Sequence, residues 1–192
     1  MPARAMATRR HWFPKAYADR VARLRVPAGF IMVAAFAFFS HPDPHSLATG
    51  LPISLCGLAL RAWAAGHLAK DQRLAQSGPY ACTRNPLYLG TLITALGLAV
   101  AGNSAWLAAL FGLLFALVYL PAIELEEQHL NEILMGYSAY AQRVPLLLPR
   151  WPEGFGRERF SPALYKKNRE YQAGIGWIAG VAWLLARSFW LR

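Results

Sequence analysis

The sequence predicts an all-α membrane protein with about five transmembrane helices, which form one domain over residues 1–192. Hydrophobic residues make up 56% of the chain, and they are grouped in long blocks instead of being spread through it. Apolar blocks of about 17 residues or more are typical of helices that span a bilayer. The predicted spans cover approximately residues 24–40, 46–66, 87–102, 104–123 and 174–191.

The net charge of +10 has two possible explanations, nucleic-acid binding and membrane topology. Most basic residues fall in three segments that would share one face of the membrane, residues 1–25, 70–84 and 143–169. The loops predicted on the opposite face, around residues 40–45 and 101–104, contain no Lys or Arg. Because cytoplasmic loops of membrane proteins carry such an excess, we expect a cytoplasmic N-terminus and no nucleic-acid partner.

The chain begins with a basic and aromatic segment, residues 1–23, which is typical of a sequence lying at an anionic membrane surface. The following apolar run lacks a convincing cleavage context, so we expect it to remain as the first of four spans within residues 24–123. The turn at residues 41–45 contains two histidines and an aspartate. It is too short to complete a metal site, so we expect a polar loop and no bound metal.

The second and third spans contain small residues at helical spacing, which allow membrane helices to approach closely. Gly50, Ser54 and Gly57 lie near one face of the second span, and a similar stripe begins at Gly90 in the third. Arg61 is the one basic residue well inside an apolar block. Two interpretations of Arg61 remain open, a polar cavity within the membrane and a side chain that reaches the nearby interface.

The segment at residues 77–90 places polar side chains immediately before a long apolar run, and we place the active site there. Asn85 followed by Pro86 predicts a helix start, with the Asn side chain capping free backbone N–H groups. A helix N-terminus attracts negatively charged ligand groups. The N–H groups predicted to face such a ligand are those of Leu87, Tyr88 and Leu89.

The fourth span is predicted to end near Pro121, where a missing N–H can bend the last turn. Residues 124–170 would then form an amphipathic helix and a loop outside the membrane, ahead of the last span. This helix begins with three carboxylates, Glu124, Glu126 and Glu127. They suit the helix dipole, but they also lie on the same predicted side of the membrane as residues 77–90.

These features together resemble the isoprenylcysteine carboxyl methyltransferase and phospholipid methyltransferase group of integral membrane enzymes. The group's pattern is Gly-Pro-Tyr, then Arg-His-Pro-x-Tyr-x-Gly, an apolar hairpin and Glu-Glu. The resemblance covers about residues 50–150. Its matching residues are Gly78-Pro79-Tyr80, Arg84-Asn85-Pro86-Leu87-Tyr88-Leu89-Gly90 and Glu126-Glu127.

The resemblance implies S-adenosyl-L-methionine as methyl donor, bound at the cytoplasmic face of a bacterial inner membrane. It implies a lipophilic or lipid-like acceptor that enters from the membrane lipids and carries a carboxylate, amine or thiol. The implied catalytic residues are Arg84, Asn85, Glu127 and Arg150. The implied cofactor-binding residues are Tyr80, Asn85, Pro86, Leu87, Tyr88, Leu89, Gly90, Glu126 and Glu127.

Asn85 stands where the group has His, and Asn cannot carry a proton charge near neutral pH. An acceptor carboxylate would need a cation, for which the sequence leaves four candidates. These are Arg61, Arg84, Arg143 and Arg150.

Two other functions remain open from the sequence. One is an NADPH-dependent membrane reductase of the sterol reductase type, because those proteins contain a similar Arg-x-Pro-x-Tyr segment. The other is a non-catalytic membrane protein that retains the fold, which the replaced His would favour.

Overall fold

The computed structural model describes residues 13–70 and 72–190. In these residues all regular structure is helical, as the sequence predicted. The eight α-helices of this part of the chain are α1 (Lys15–Phe39), α2 (Pro44–Ala65), α3 (Pro86–Ala101), α4 (Ala105–Leu114), α5 (Leu120–Ile133), α6 (Tyr137–Arg143), α7 (Pro162–Lys167) and α8 (Tyr171–Trp190). The part of the N-terminal basic segment at residues 1–12 lies outside the described residues.

Three helical stretches are long and apolar enough to cross a membrane, so we describe the chain as membrane-spanning. They are Pro44–Ala65, Ala105–Ile133 and Tyr171–Trp190. The apolar part of α1, Val26–Phe39, and α3 are shorter. The 16 residues of α3 rise only about 24 Å, less than the roughly 30 Å of a hydrocarbon core. The count of five spans therefore stays a prediction.

The small residues of α2 and α3 place the two backbones in direct contact. A Cβ atom added to Gly50 would lie 2.2 Å from the Ala101 nitrogen, and one added to Gly97 would lie 2.3 Å from the Ser54 nitrogen. Real Cβ atoms are not found at such distances, so any larger residue would push the helices apart. This tight pair fixes where α3 begins, and therefore where residues 77–90 lie.

The helix that contains the fourth predicted span continues beyond Pro121. A π turn at Phe115–Tyr119 joins α4 to α5, and the 29 residues of Ala105–Ile133 run on as one helical stretch. Pro121 cannot donate to the Leu117 carbonyl four residues earlier, and the Tyr17 hydroxyl donates to that carbonyl at 2.8 Å. The helix continues past this proline with a local change of hydrogen bonding, and the end of the membrane span near Pro121 stays a prediction.

The amphipathic helix predicted after the three glutamates is broken into two. Helix α5 ends at Ile133, Gly136 adopts a left-handed backbone with φ of 82°, and α6 begins at Tyr137. The apolar positions that predicted one helix nevertheless meet, because Tyr137 and Tyr140 pack against Leu130 and Leu134. The turn therefore folds α6 back alongside the end of α5.

Helix α8 is attached to the other helices by polar side chains. Trp177 Nε1 donates to Ser54 Oγ at 2.9 Å. At the α7–α8 junction, Glu170 accepts two hydrogen bonds from Arg61, at 2.6 Å from Nε and 3.1 Å from Nη2. Arg61 also donates to the Thr91 hydroxyl and is 24% exposed. Neither open interpretation of Arg61 anticipated that it would be paired with a buried carboxylate.

The turn before α2 is organised around Asp43. Its carboxylate accepts hydrogen bonds from the backbone N–H groups of His45 and Ser46, at 2.8 and 3.1 Å, and so caps α2. Asn103 Nδ2 donates to the same carboxylate at 3.0 Å. Asp43 therefore acts as a helix cap and connects the two turns at this end of the molecule.

Candidate active site

Residues 77–90 are held against the segment that follows α6. The Arg84 N–H donates to the Pro145 carbonyl at 2.9 Å, and the Arg150 N–H donates to the Cys82 carbonyl at 3.0 Å. Between these bonds, the Thr83 hydroxyl lies 3.2 Å from the Leu146 carbonyl and is itself fully buried. Backbone hydrogen bonds therefore hold this loop in place independently of the charged side chains of the site.

The start of α3 differs from the predicted cap. Pro86 occupies the first turn as predicted, but the Asn85 side chain makes no capping hydrogen bond. Its Nδ2 donates instead to the Leu146 carbonyl at 3.0 Å. The Leu89 N–H donates to the Asn85 carbonyl at 3.0 Å, so the predicted ligand site of three N–H groups loses one of its members.

Arg84 and Glu127 form an ion pair between this loop and α5. Arg84 Nε lies 2.9 Å from Glu127 Oε1, and the two side chains are only 7% and 12% exposed. Arg84 Nη1 also donates to the Ala141 carbonyl of α6 at 2.9 Å. A buried guanidinium requires such partners, because removing a charge from water without them costs several kcal/mol, roughly.

Two tyrosines of α6 complete this polar network. The Tyr137 hydroxyl is hydrogen-bonded to Glu127, and the Tyr140 hydroxyl donates to the Tyr80 carbonyl at 2.8 Å. Burial raises the pKa of Tyr137 well above its ordinary value, and the negative charge of Glu127 raises it further. Burial likewise raises the pKa of Tyr140. Both phenols therefore stay neutral and act as hydrogen-bond donors.

Glu126 faces a different environment from Glu127. It is exposed, and its Oε2 accepts a hydrogen bond from the Tyr88 hydroxyl at 2.9 Å. The Tyr88 ring meets the Tyr119 ring edge to face, with centroids 6.2 Å apart. A carboxylate is thus held at the edge of an aromatic pair.

A cleft opens between residues 68–84 and the α5–α6 turn. Within residues 13–70 and 72–190, the wall of this cleft is largely aromatic and aliphatic, with three basic side chains and one carboxylate. The lining residues are Leu68, Lys70, Arg73, Leu74, Ala75, Tyr80, Arg84, Glu126, Leu130, Leu134, Tyr137 and Tyr140. Of the residues predicted from the sequence, the cleft contains Tyr80, Arg84 and Glu126.

With this geometry in place, comparison with known families gives one match. Residues 47–136 match the family model of the phospholipid methyltransferases. The match covers a little under half of the chain, and it shows what these residues are similar to. The matched region confirms the resemblance inferred from the sequence, and it contains both residues 77–90 and the Glu126-Glu127 pair.

Two curated proteins are similar to the chain. The cobalt-zinc-cadmium resistance protein CzcN of Cupriavidus metallidurans is 34% identical over 106 residues, which cover 52% of this chain and 49% of that protein. The nickel-cobalt-cadmium resistance protein NccN of Alcaligenes xylosoxydans xylosoxydans is 29% identical over 138 residues, which cover 68% of this chain and 65% of that protein. The chain therefore spans about half to two thirds of these relatives. No solved structure matches it significantly.

Other residues predicted for the site lie within the methyltransferase-family region but outside the cleft. Pro86 is fully buried, and a Cβ atom added to Gly90 would lie 2.6 Å from Arg61 Cγ, so Gly90 packs against α2. Leu87 packs beside Tyr80. Beyond the family match, Arg150 is exposed, and its Nη2 donates to the Arg143 carbonyl at 3.4 Å.

The sequence predicted the loop at residues 151–161, but not that this loop packs on residues 77–78. The Gly78 N–H donates to the Phe155 carbonyl at 2.7 Å. Glu158 pairs with Arg73 at 2.7 Å and accepts from the Ser77 hydroxyl at 3.2 Å. Only the proline and glycine content of this loop was informative in the sequence, and it predicted a loop without indicating its partner.

Sequence reasoning also did not predict roles for Tyr137 and Tyr140, although both lie in the segment that resembles the family downstream of Glu-Glu. Their buried positions, 4% and 3% exposed, could have been inferred from the apolar periodicity of this segment. Among the residues that the structure describes, no group of three or more His, Cys, Asp or Glu side chains could hold a metal ion.

Proposed function

We propose that this chain is an S-adenosyl-L-methionine-dependent membrane methyltransferase that acts on a lipophilic carboxylate, amine or thiol. The observation that carries the proposal is the Arg84–Glu127 pair, with Nε and Oε1 2.9 Å apart. It joins the loop before α3 to the Glu126-Glu127 pair, and Arg84 and Glu126 both line the cleft. The match of residues 47–136 to the family model of the phospholipid methyltransferases supports the same activity.

The side chains of the cleft fit the charges of the proposed donor. S-adenosyl-L-methionine carries a carboxylate, an ammonium and a sulfonium, so its site needs both cations and an anion. The cleft offers Lys70, Arg73 and Arg84 as cations and Glu126 as an anion, among aromatic rings. A carboxylate is also favoured at the start of α3 by the helix dipole, and cationic groups are favoured beside tyrosine rings.

The chain's own contribution to the reaction would be positioning and exclusion of water. The bound donor supplies an electrophilic methyl group, and the transfer is a displacement that depends on alignment of donor and acceptor. Arg84 and Glu127 would hold the two halves of the cleft together, while Tyr137 and Tyr140 exclude water from that contact. In this proposal the Asn85 amide positions the loop through the Leu146 carbonyl and need not titrate.

Existing ion pairs distinguish the four arginines proposed for binding an acceptor carboxylate. Arg61 is paired with Glu170, and Arg84 is paired with Glu127. Arg143 and Arg150 are exposed and contact each other through the Arg143 carbonyl. We therefore propose Arg150, with Arg143 beside it, as the cation for an acidic acceptor entering from the cytoplasmic side of the bilayer.

Titration calorimetry of the full chain in detergent with S-adenosylhomocysteine tests the proposal. Saturable binding by folded protein, with no binding of NADPH, is the expected result. Binding of NADPH without S-adenosylhomocysteine would support the reductase instead. Binding of neither by protein with a cooperative thermal transition would favour a non-catalytic protein.

A further inference from the structure

The three carboxylates at the start of the polar part of α5 have three different partners. Glu124 Oε2 accepts a hydrogen bond from the Phe13 N–H at 3.1 Å, which connects it to the start of α1. Glu127 pairs with Arg84, and Glu126 accepts from the Tyr88 hydroxyl. Neighbouring residues of an α-helix point about 100° apart, so adjacent glutamates necessarily face different surroundings.

The charge of Glu127 is already balanced within the protein. Its Oε1 lies 2.9 Å from Arg84 Nε in an almost buried pair, and the Tyr137 hydroxyl is hydrogen-bonded to the same side chain. A further cation would meet an ion pair rather than an isolated anion, and a pair attracts it much more weakly. Glu127 is also absent from the residues that line the cleft.

Glu126 has the opposite properties. Among the residues that the structure describes, it is the one carboxylate that lines the cleft, and the partner that the structure gives it is a neutral hydroxyl. None of the ion pairs seen within residues 13–70 and 72–190 includes Glu126. Tyr88, which donates to it, is stacked edge to face with Tyr119, and aromatic rings attract cations.

We propose that Glu126, oriented by the Tyr88 hydroxyl, is the carboxylate that faces the sulfonium of the bound methyl donor. Glu127 is then a positioning residue, which acts by holding Arg84 and the loop before α3. This assignment rests on the proposed methyltransferase function. It separates two adjacent residues that the sequence presents as equivalent.

The test compares S-adenosyl-L-methionine with S-adenosylhomocysteine, which keeps the ammonium and carboxylate but lacks the sulfonium charge. In the full chain, Glu126→Gln is expected to weaken binding of S-adenosyl-L-methionine about tenfold. This is the expected effect of losing one charge-assisted contact. Binding of S-adenosylhomocysteine should change less than about twofold, because this ligand has no sulfonium charge to lose its contact. Glu132→Gln, at another exposed glutamate of α5, is the matched control and should change neither affinity.

Glu127→Gln is expected to lower the thermal midpoint and to weaken both ligands by a similar factor, so that their affinity ratio is unchanged. Glu127→Asp, which keeps the charge, should recover part of both losses. Should Glu127→Gln not fold, Tyr88→Phe provides the second measurement, because it removes only the hydroxyl that orients Glu126. We expect Tyr88→Phe, like Glu126→Gln, to lower the affinity for S-adenosyl-L-methionine relative to that for S-adenosylhomocysteine.

The assignment is overturned if Glu126→Gln leaves the affinity ratio unchanged, or if Glu127→Gln alone changes it. Equal losses for both ligands in Glu126→Gln would also overturn it, because the carboxylate would then face a group common to both. Failure of the methyltransferase proposal looks different, since the wild-type chain would then bind neither ligand.

Discussion

Arg84 Nε lies 2.9 Å from Glu127 Oε1, and this pair joins the loop before α3 to the end of the longest helical stretch. Neither side chain is more than 12% exposed, so the two charges depend on each other. The same contact determines which of the adjacent glutamates faces the cleft, because it turns Glu127 towards the protein and leaves Glu126 outside.

Replacing one residue of this pair should lower the free energy of unfolding more than replacing both. Arg84→Leu leaves the Glu127 carboxylate without its cation and should lower the free energy of unfolding by about 3 kcal/mol. The double variant Arg84→Met/Glu127→Leu should lose less, because no buried charge remains unpaired. Denaturant unfolding in detergent measures both. An equal or larger loss in the double variant would contradict the proposed dependence of the two charges.

The close contact of α2 with α3 predicts a strong effect of a single methyl group. Gly50→Ala places a Cβ atom 2.2 Å from the Ala101 nitrogen, so it should lower the free energy of unfolding by about 2 kcal/mol or more. Gly112→Ala is the control, because nothing lies within 4 Å of its added Cβ atom. It should be neutral or stabilising by up to about 1 kcal/mol. Thermal midpoints of the two variants, measured side by side, test this difference.

The buried tyrosines predict a loss of stability in alkali. The folded state raises the pKa of Tyr137 and Tyr140 above the ordinary value of 10.0, so the unfolded chain releases these protons first. Stability should be constant through neutral pH and fall above pH 10.0, by about 1.4 kcal/mol per pH unit for each tyrosine.

Thermal midpoints measured from about pH 8 to about pH 11, a range that includes the ordinary tyrosine pKa, would show this fall. Tyr137→Phe should make it less steep, although the same variant loses the hydrogen bond to Glu127. Unchanged steepness in Tyr137→Phe would contradict the assignment of this alkaline transition to the buried phenol.

The Arg61–Glu170 pair is expected to hold the start of α8 against α2. Glu170→Leu removes the partner of a guanidinium that is only 24% exposed, and Arg61 would keep only the Thr91 hydroxyl and the Leu87 carbonyl. We expect a loss of about 2 to 3 kcal/mol and faster proteolysis in residues 151–170. Glu153→Leu, at an exposed glutamate in the loop at residues 151–161, is the control and should have neither effect. Equal proteolysis of the two variants would contradict this role of the pair.

The sequence was sufficient for the helical class, the approximate positions of the apolar helices and the family. These properties depend on composition and on residues that are close together in the chain, such as Asn85-Pro86 and Glu126-Glu127. The sequence did not indicate how the helix accommodates Pro121, since the hydroxyl that donates to the Leu117 carbonyl comes from Tyr17, far away in the sequence.

The sequence by itself determined that a helix begins at Pro86 and that two glutamates follow one hairpin later. Only the tertiary structure decided that Glu127 is paired with Arg84 and that Glu126 lines the cleft. Periodicity specifies the angle between side chains on one helix, but not which face a neighbouring segment will cover. That choice depends on the turn at Gly136, which brings α6 back onto α5 and buries one glutamate beside it.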